Sequence, residues 1–271
     1  MPLRWLADFY SRPDAELLAD ADWPKAHVAL LAGLEDGSIR AADRGDDGIW
    51  RANTWVKRAI LTGFRRSEVV RIDAAPAPFF DKDAYPARAF DAADRVRLVP
   101  GGTSVRRGAF VAPGVVVMPP AYVNVGAFVD AGTMVDSHAL VGSCAQIGKN
   151  VHLSAAAQIG GVLEPANRSP VVVEDGAFVG GMCGVFEGVV VRERAVLAAG
   201  VVLTAATVVH DLVHGHERRG EIPAGAVVVP GTRPARGDYA QRNGLQILAP
   251  LIVKYRDERT DASTALEGAL R

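Results

Sequence analysis

From residue 99 onward the chain repeats one pattern, in which an aliphatic residue returns at every sixth position. Val99, Val105, Val111, Val117, Val123, Val129, Val135, Val141, Ile147, Leu153 and Ile159 form an unbroken series. If Val, Ile and Leu filled about a third of random positions, such a run would arise on the order of once in 10⁵ chains, so a structural repeat is the only reasonable account. Four residues after each aliphatic stands a small or β-branched residue, as at Thr103, Ala109, Val115, Ala121, Ala127 and Thr133. One position earlier Gly is common (Gly102, Gly108, Gly114, Gly126, Gly132), and Asn150 takes that place once. Gly and Asn accept positive φ at a corner. The series resumes at Val173, Val179, Val185, Val191, Leu197, Leu203 and Val209, then at Ile222 and Val228.

A unit of this kind is one short strand plus one corner. Alternation sends the aliphatic residue and the small residue two before the next aliphatic inward, and the residue just after the aliphatic outward. Three units close a triangular coil, and coils stack about 4.8 Å apart, so each residue lies over the one about 18 positions later. The pattern predicts a mainly β fold, a parallel β-helix prism with Val117, Val135 and Leu153 in one internal column. The period does not give its handedness, because most parallel crossovers are right-handed.

Outside the repeat the pattern changes. Residues 1–95 read as a helical N-terminal domain whose clearest helix is "TWVKRAILTGFRR". There Trp55, Ile60, Leu61 and Phe64 share an apolar face, and Lys57, Arg58, Arg65 and Arg66 sit largely elsewhere, as a solvated basic face or a holder of ligand. The Pro-, Ala- and Asp-rich run "DAAPAPFFDKDAYPARAFDAADR" reads as an irregular connection. The β-helix spans 96–231, with two excursions, 160–172 and 210–221, that a prism does not need. Such loops on a rigid scaffold often carry function. Residues 232–271 read as a small C-terminal domain with a strand in "LQILAPLIVKY" and a terminal helix.

Composition narrows the function. The 271 residues are 49% hydrophobic, enough for a sizeable core, and 30 Lys plus Arg nearly balance 31 Asp plus Glu. No overall field draws nucleic acid or an anionic membrane. No signal peptide and no apolar run of about 18 residues is seen, which points to the cytoplasm. Cys144 and Cys183 occur without C-x-x-C or paired His, so neither a disulfide framework nor a zinc site is expected. P-loop, G-x-S-x-G and H-E-x-x-H motifs are lacking.

Among the outward residues, Asp136 is expected between Met118 and Ser154, where a partly desolvated carboxylate beside a partner chain suits a general base or a substrate ammonium. Asp130 occupies the equivalent place one unit earlier and reads as coil surface. His138 stands at a corner where Gly is usual, and is either an acid or base in a cleft or a corner residue without chemistry. His152 lies 14 residues from it, not 18, which argues against stacked metal-binding histidines. His210, His214 and His216, beside Arg218 and Arg219, are either contacts for a phosphate-bearing ligand or solvated loop residues.

The hexads resemble those of the left-handed β-helix acyltransferases. The run "YVNVGAFVDAGTMVDSHALVGSCAQIGKNVHLSAAAQIGGVLEP", with "WVKRAILTGFR", "FFDKDAY", "RLVPGGTSVRRGAFVAPG", "IPAGAVVVPG" and "APLIVKYRDE", closely resembles the tetrahydrodipicolinate N-succinyltransferase family across most of the chain. The resemblance implies a left-handed coil and a homotrimer with active sites between neighbouring prisms. It also implies succinyl transfer from succinyl-CoA, a co-substrate and not a permanently bound cofactor, to the ring-opened substrate 2-amino-6-oxopimelate, a dicarboxylic amino acid. It puts the active-site aspartate at Asp136 and a carboxylate-binding arginine at Arg97. Many members carry a glutamate where this chain has Gly184. Glu187, three residues on, is the candidate replacement, although its hexad phase points it toward another place on the coil. An acetyl-CoA-dependent relative, one acting on another amino acid, and a noncatalytic β-helix scaffold or ice-binding prism are the competing readings.

Overall fold

The computed structural model describes residues 4–73 and 77–257. The terminal helix expected near the C-terminus lies outside the described residues. The hexads form three sheets of parallel two-residue strands, the faces of a prism. Val117, Val135 and Leu153 stand in register in one sheet, Val123, Val141 and Ile159 in the second, and Val111, Val129 and Ile147 in the third. All nine are buried in one continuous core that also takes in Ala109, Ala127, Ala145 and Cys183. A two-residue strand has no independent stability. Each exists because its N–H and C=O groups pair with the coils above and below, while its aliphatic side chain is removed from water.

The first coil departs from the expected register. Val117 pairs with Leu98, not Val99, and although both residues are half-buried it is Leu98 that packs against the core. The chain takes one extra residue between Leu98 and Val105, in the segment "PGG", where Gly101 and Gly102 have φ of 142° and 93°. The other corners keep positive φ even without Gly: His138, Cys144, Asn150, Ala156, Met182 and Arg194 lie between 53° and 66°. Stacking of the strands on either side imposes the left-handed conformation, although non-Gly residues resist it.

The first excursion lengthens one coil: Ile147 pairs with Val173, 26 residues away, and the later strands keep that offset. The second lengthens another, so that Val191 pairs with Ile222. Val209 does not continue the coil as the periodicity predicts. Val209–Asp211 pairs with His216–Arg218 as a hairpin and with Leu251–Tyr255, which itself joins the prism beside Ala226–Val229. The predicted strand "LQILAPLIVKY" is two strands, Gln246–Leu248 and Leu251–Tyr255, separated at Ala249–Pro250. Pro250 has no N–H to continue a ladder.

Helices Arg4–Ser11, Asp14–Ala19, Trp23–Glu35 and Thr54–Arg66 pack around Leu6, Tyr10, Leu30, Ile60 and Tyr85. Val125 and Cys144 of the prism complete this second core, and burial pushes the Cys144 thiol up to about 12. The region predicted as an irregular connection contains Phe79–Lys82, paired antiparallel with Val69–Ile72. On Thr54–Arg66 the expected division of faces fails at Lys57, which is fully buried and donates to the Arg168 carbonyl at 2.5 Å. Its ammonium holds the first excursion against the helices. Arg58 and Arg65 bind Asp14, and Arg66 donates to the carbonyls of Leu17 and Asp20, so this basic face locks a neighbouring helix. Among the described residues no helix is long and apolar enough to cross a membrane.

A buried carboxylate anchors the hairpin. Asp211 accepts hydrogen bonds from the Tyr255 hydroxyl at 2.7 Å, from the backbone N–H groups of Val213 and His214, and interacts with His214 Nδ1 at 3.0 Å and Arg218 Nε at 3.4 Å. Burial alone raises its pKa, but the hydrogen bonds from His214 and Tyr255 outweigh that, and the net shift is well below the usual carboxylate range.

Two outcomes follow from this architecture. Leu153→Ala removes the centre of a fully buried column and costs about 2–5 kcal/mol in chemical unfolding, with the far-UV spectrum kept. Asp211→Asn lowers amide-exchange protection across 209–218 at pH 7. Because the folded pKa is depressed, this advantage of Asp211 is complete above the unfolded value of about 3.9 and is lost as pH falls from there toward the folded value, so the two proteins converge in acid.

Candidate active site

Asp136 follows the strand Met134–Val135, whose register partners are Val116–Val117 and His152–Leu153. The carboxylate therefore projects from a prism edge between Met118 and Ser154, as the periodicity predicts. It is half-buried, and its Oδ1 accepts from the Ser137 N–H at 2.6 Å. Oδ2 accepts no hydrogen bond among the described residues. The Ser137 contact orients the carboxylate from within its own corner, so no distant side chain is needed to hold it.

Asp130 makes the same local contact, accepting from Ala131 N–H at 2.7 Å, and Asn124 does so with Val125 N–H. Corner geometry does not separate the two acids. Their surroundings do: Asp130 lines a small recess closed by Arg40, Trp50 and Gln146. The Arg40 guanidinium lies 3.7 Å over the Phe128 ring and donates to Gln146 at 3.0 Å. Glu174, in the same recess, is held by Trp50 Nε1 and Arg192. Asp130 thus faces the non-helical segment that joins helices Trp23–Glu35 and Thr54–Arg66, where this segment lies against the prism.

Arg97 lies on the same sheet as Asp136. Arg97 pairs with Val116, and Val116 with Met134, which sets the arginine two strands, roughly 10 Å, from Met134 on that face. The structure brings Arg97 and Asp136 to one side of the prism at different levels. His138 occupies the next corner position after Asp136, with φ of 62°, and is exposed beside a shallow groove formed with Tyr122, Leu140 and Gln158. His152 is elsewhere, opposite Met134, with its ring stacked on Phe178 at 4.8 Å, and it does not align with His138.

Glu187 is not brought to this face. It follows the strand Gly184–Val185, on a different sheet and a different prism edge, and its Oε2 accepts from the Ala205 N–H at 3.2 Å. It borders a cleft of about 760 Å³ with Glu164, Arg168, Phe186 and Thr204, walled on one side by the first excursion. Phe186 is the residue that sequence reasoning missed. A Cβ on Gly184 would fall 2.4 Å from its ring, and one on Gly160 2.7 Å from it. The ring lies across two glycine backbones and occupies the space that a side chain at 184 would need. The signal was present as Gly160 and Gly184, but the first excursion separates these neighbours by 24 residues and hides their contact from an 18-residue count.

Residues 9–65 match the family model for the tetrahydrodipicolinate N-succinyltransferase N-terminal region, and residues 170–205 match the hexapeptide repeat of succinyl-transferase. A 2,3,4,5-tetrahydropyridine-2,6-dicarboxylate N-succinyltransferase of Polynucleobacter asymbioticus is 46% identical over 260 residues, covering 93% of this chain and 91% of the relative. The enzyme of the same name from Maricaulis maris is 50% identical over 245 residues, covering 88% and 86%. A crystal structure from Campylobacter jejuni, provisionally described as a 2,3,4,5-tetrahydropyridine-2-carboxylate N-succinyltransferase, shares the fold at a TM-score of 0.53 and 17% identity, over 83% of this chain and 62% of that one. With such identity running through both the helical region and the repeats, the chain belongs to the tetrahydrodipicolinate N-succinyltransferase family.

Proposed function

We propose that the protein transfers the succinyl group of succinyl-CoA to the amino group of 2-amino-6-oxopimelate, the ring-opened form of tetrahydrodipicolinate, in the diaminopimelate branch of lysine biosynthesis. The near-full-length identity to enzymes of that name carries this reading. In the reaction the amine nitrogen attacks the thioester carbonyl carbon, the amine loses a proton, and the carbon–sulfur bond breaks to release CoA as its thiol. Asp136, with one oxygen fixed by Ser137 and the other uncommitted, orients the nucleophile, receives that proton and returns it to the departing thiolate. Arg97, on the same face, grips a carboxylate of the acceptor through its planar guanidinium.

The second acid is the point at which one chain is insufficient. Glu187 sits on a different edge from Asp136, so it joins the reaction only if a neighbouring protomer presents it. We read the assembly as a homotrimer of left-handed prisms with each site shared between two chains, an arrangement in which an acid on another edge can reach a neighbour's Asp136. We further read the chain as a helical N-terminal domain to residue 95, the prism to 231 and a small C-terminal domain, working in the cytoplasm on succinyl-CoA.

Asp136→Asn is expected to lower kcat by about 10²–10⁴-fold in a CoA-release assay while the circular dichroism spectrum is unchanged; near-normal turnover would remove Asp136 from the mechanism. Arg97→Lys keeps the charge but loses the bidentate geometry, and raises the acceptor KM about tenfold without altering the KM for succinyl-CoA. Succinyl-CoA outperforms acetyl-CoA with tetrahydrodipicolinate as acceptor, and the reverse preference would identify an acetyl-transferring relative.

A further inference from the structure

Asp136 shares its corner with a second group able to carry charge. His138 stands two residues further on, so the two Cα atoms are no more than about 7 Å apart. The same corner position is Pro120 one coil below and Ala156 one coil above, so the imidazole is flanked by small residues and is exposed. Its backbone is fixed from three sides. The His138 N–H donates to the Pro120 carbonyl, the Ser137 carbonyl accepts from Ala156, and the His138 carbonyl accepts from Gln158 Nε2 at 3.0 Å. The same Gln158 amide donates to the Ala156 carbonyl at 3.1 Å, which ties two successive corners together. The ring nitrogens of His138 have no hydrogen-bond or ion-pair partner among the described residues.

The groove that this ring borders, of about 350 Å³, has apolar walls at Pro120, Ala121 and Leu140 and no carboxylate in its lining. Its polar groups include Tyr122, whose hydroxyl oxygen accepts from Arg106 Nε at 2.8 Å and which therefore keeps its own proton to give. A lining of hydrogen-bond donors and apolar walls without an acid suits a carboxylate carried on an alkyl chain.

The acceptor has two carboxylates at unequal distances from the amine that reacts. The α-carboxylate is attached to the carbon bearing the nitrogen, so its oxygens lie about 3 Å from that nitrogen, and the distal carboxylate lies roughly 8 Å away along the extended chain. Arg97 is two strands, roughly 10 Å, from Met134, a separation that suits the distal carboxylate. With the amine at Asp136, the α-carboxylate stays beside the Asp136 corner, and His138 is the residue of that corner able to carry positive charge. We propose that His138 binds the α-carboxylate of the acceptor through an imidazole N–H, and so selects α-amino acids over simple amines, while Arg97 takes the distal carboxylate. The assignment rests on the acceptor reading above, and the test separates the two.

Three compounds isolate the contacts: 2-aminopimelate carries both carboxylates, 2-aminohexanoate lacks the distal one and 6-aminohexanoate lacks the α-carboxylate. In calorimetry with saturating CoA, His138→Ala weakens binding of 2-aminopimelate and 2-aminohexanoate about tenfold and leaves 6-aminohexanoate unchanged. Arg97→Ala gives the complementary pattern, weakening 2-aminopimelate and 6-aminohexanoate and sparing 2-aminohexanoate. Ala156 already holds a φ of 58° at the equivalent corner, so the alanine variant keeps the coil. His138→Asn, which retains a donor on a residue type that accepts positive φ, falls between wild type and alanine. Equal losses for all three compounds in His138→Ala, no loss for any, or a loss confined to 6-aminohexanoate would overturn the assignment. Turnover with succinyl-CoA then tells the two readings apart. A wild-type enzyme that succinylates 2-aminopimelate while the selective pattern is absent keeps the proposed function and loses the His138 subsite. One that succinylates none of the three amines while the pattern holds loses the proposed function and keeps the subsite.

Discussion

The structure depends on one repeated event, the stacking of a buried aliphatic residue on its counterpart one coil away. Each strand is two residues long, too short to persist alone, so the ladder hydrogen bonds and the apolar columns stabilise one another. Val135 in its column is buried because Val117 and Leu153 are in register, and they are in register because the backbone between them is paired. The result is quasi-one-dimensional, with each coil answering mainly to its two neighbours.

That arrangement explains why loops of quite different length are tolerated. The first excursion stretches the Ile147–Val173 spacing to 26 residues and the second stretches Val191–Ile222 to 31, yet pairing resumes at once on the far side. Loop closure costs grow slowly with length, while a lost register would expose a whole column. The loops are then held by contacts of their own. Buried Lys57 binds the Arg168 carbonyl of one, and buried Asp211 gathers Tyr255, His214 and Arg218 around the other. Both are charged groups placed where a carbonyl or several donors compensate for lost hydration.

Much of the site was legible because it is written in the same period as the core. Asp136 follows Val135, so its outward direction and its place between Met118 and Ser154 are consequences of counting. The register of Arg97 was not readable to the same degree, since an extra residue in "PGG" moves the first coil by one and puts Leu98 in the column predicted for Val99. Phe186 over Gly160 and Gly184 was hidden by the first excursion, and the hairpin within 210–221 by a valine at 209 that keeps the period while leaving the coil. In the first two cases an insertion altered the count without altering the pattern; at Val209 the pattern outlasted the coil.

By itself, then, the sequence determined the prism, its interior columns and the edge that carries Asp136, because a period of six with obligatory alternation admits few ways to bury its apolar residues. Tertiary structure decided what the period does not encode: that Lys57 turns inward, that Asp130 faces the segment between two N-terminal helices while Asp136 does not, and that Arg219, Arg233 and Arg236 line one recess. These are contacts between segments far apart in the chain. They are set by loops and by packing of the helices on the prism, for which no repeat fixes the distance.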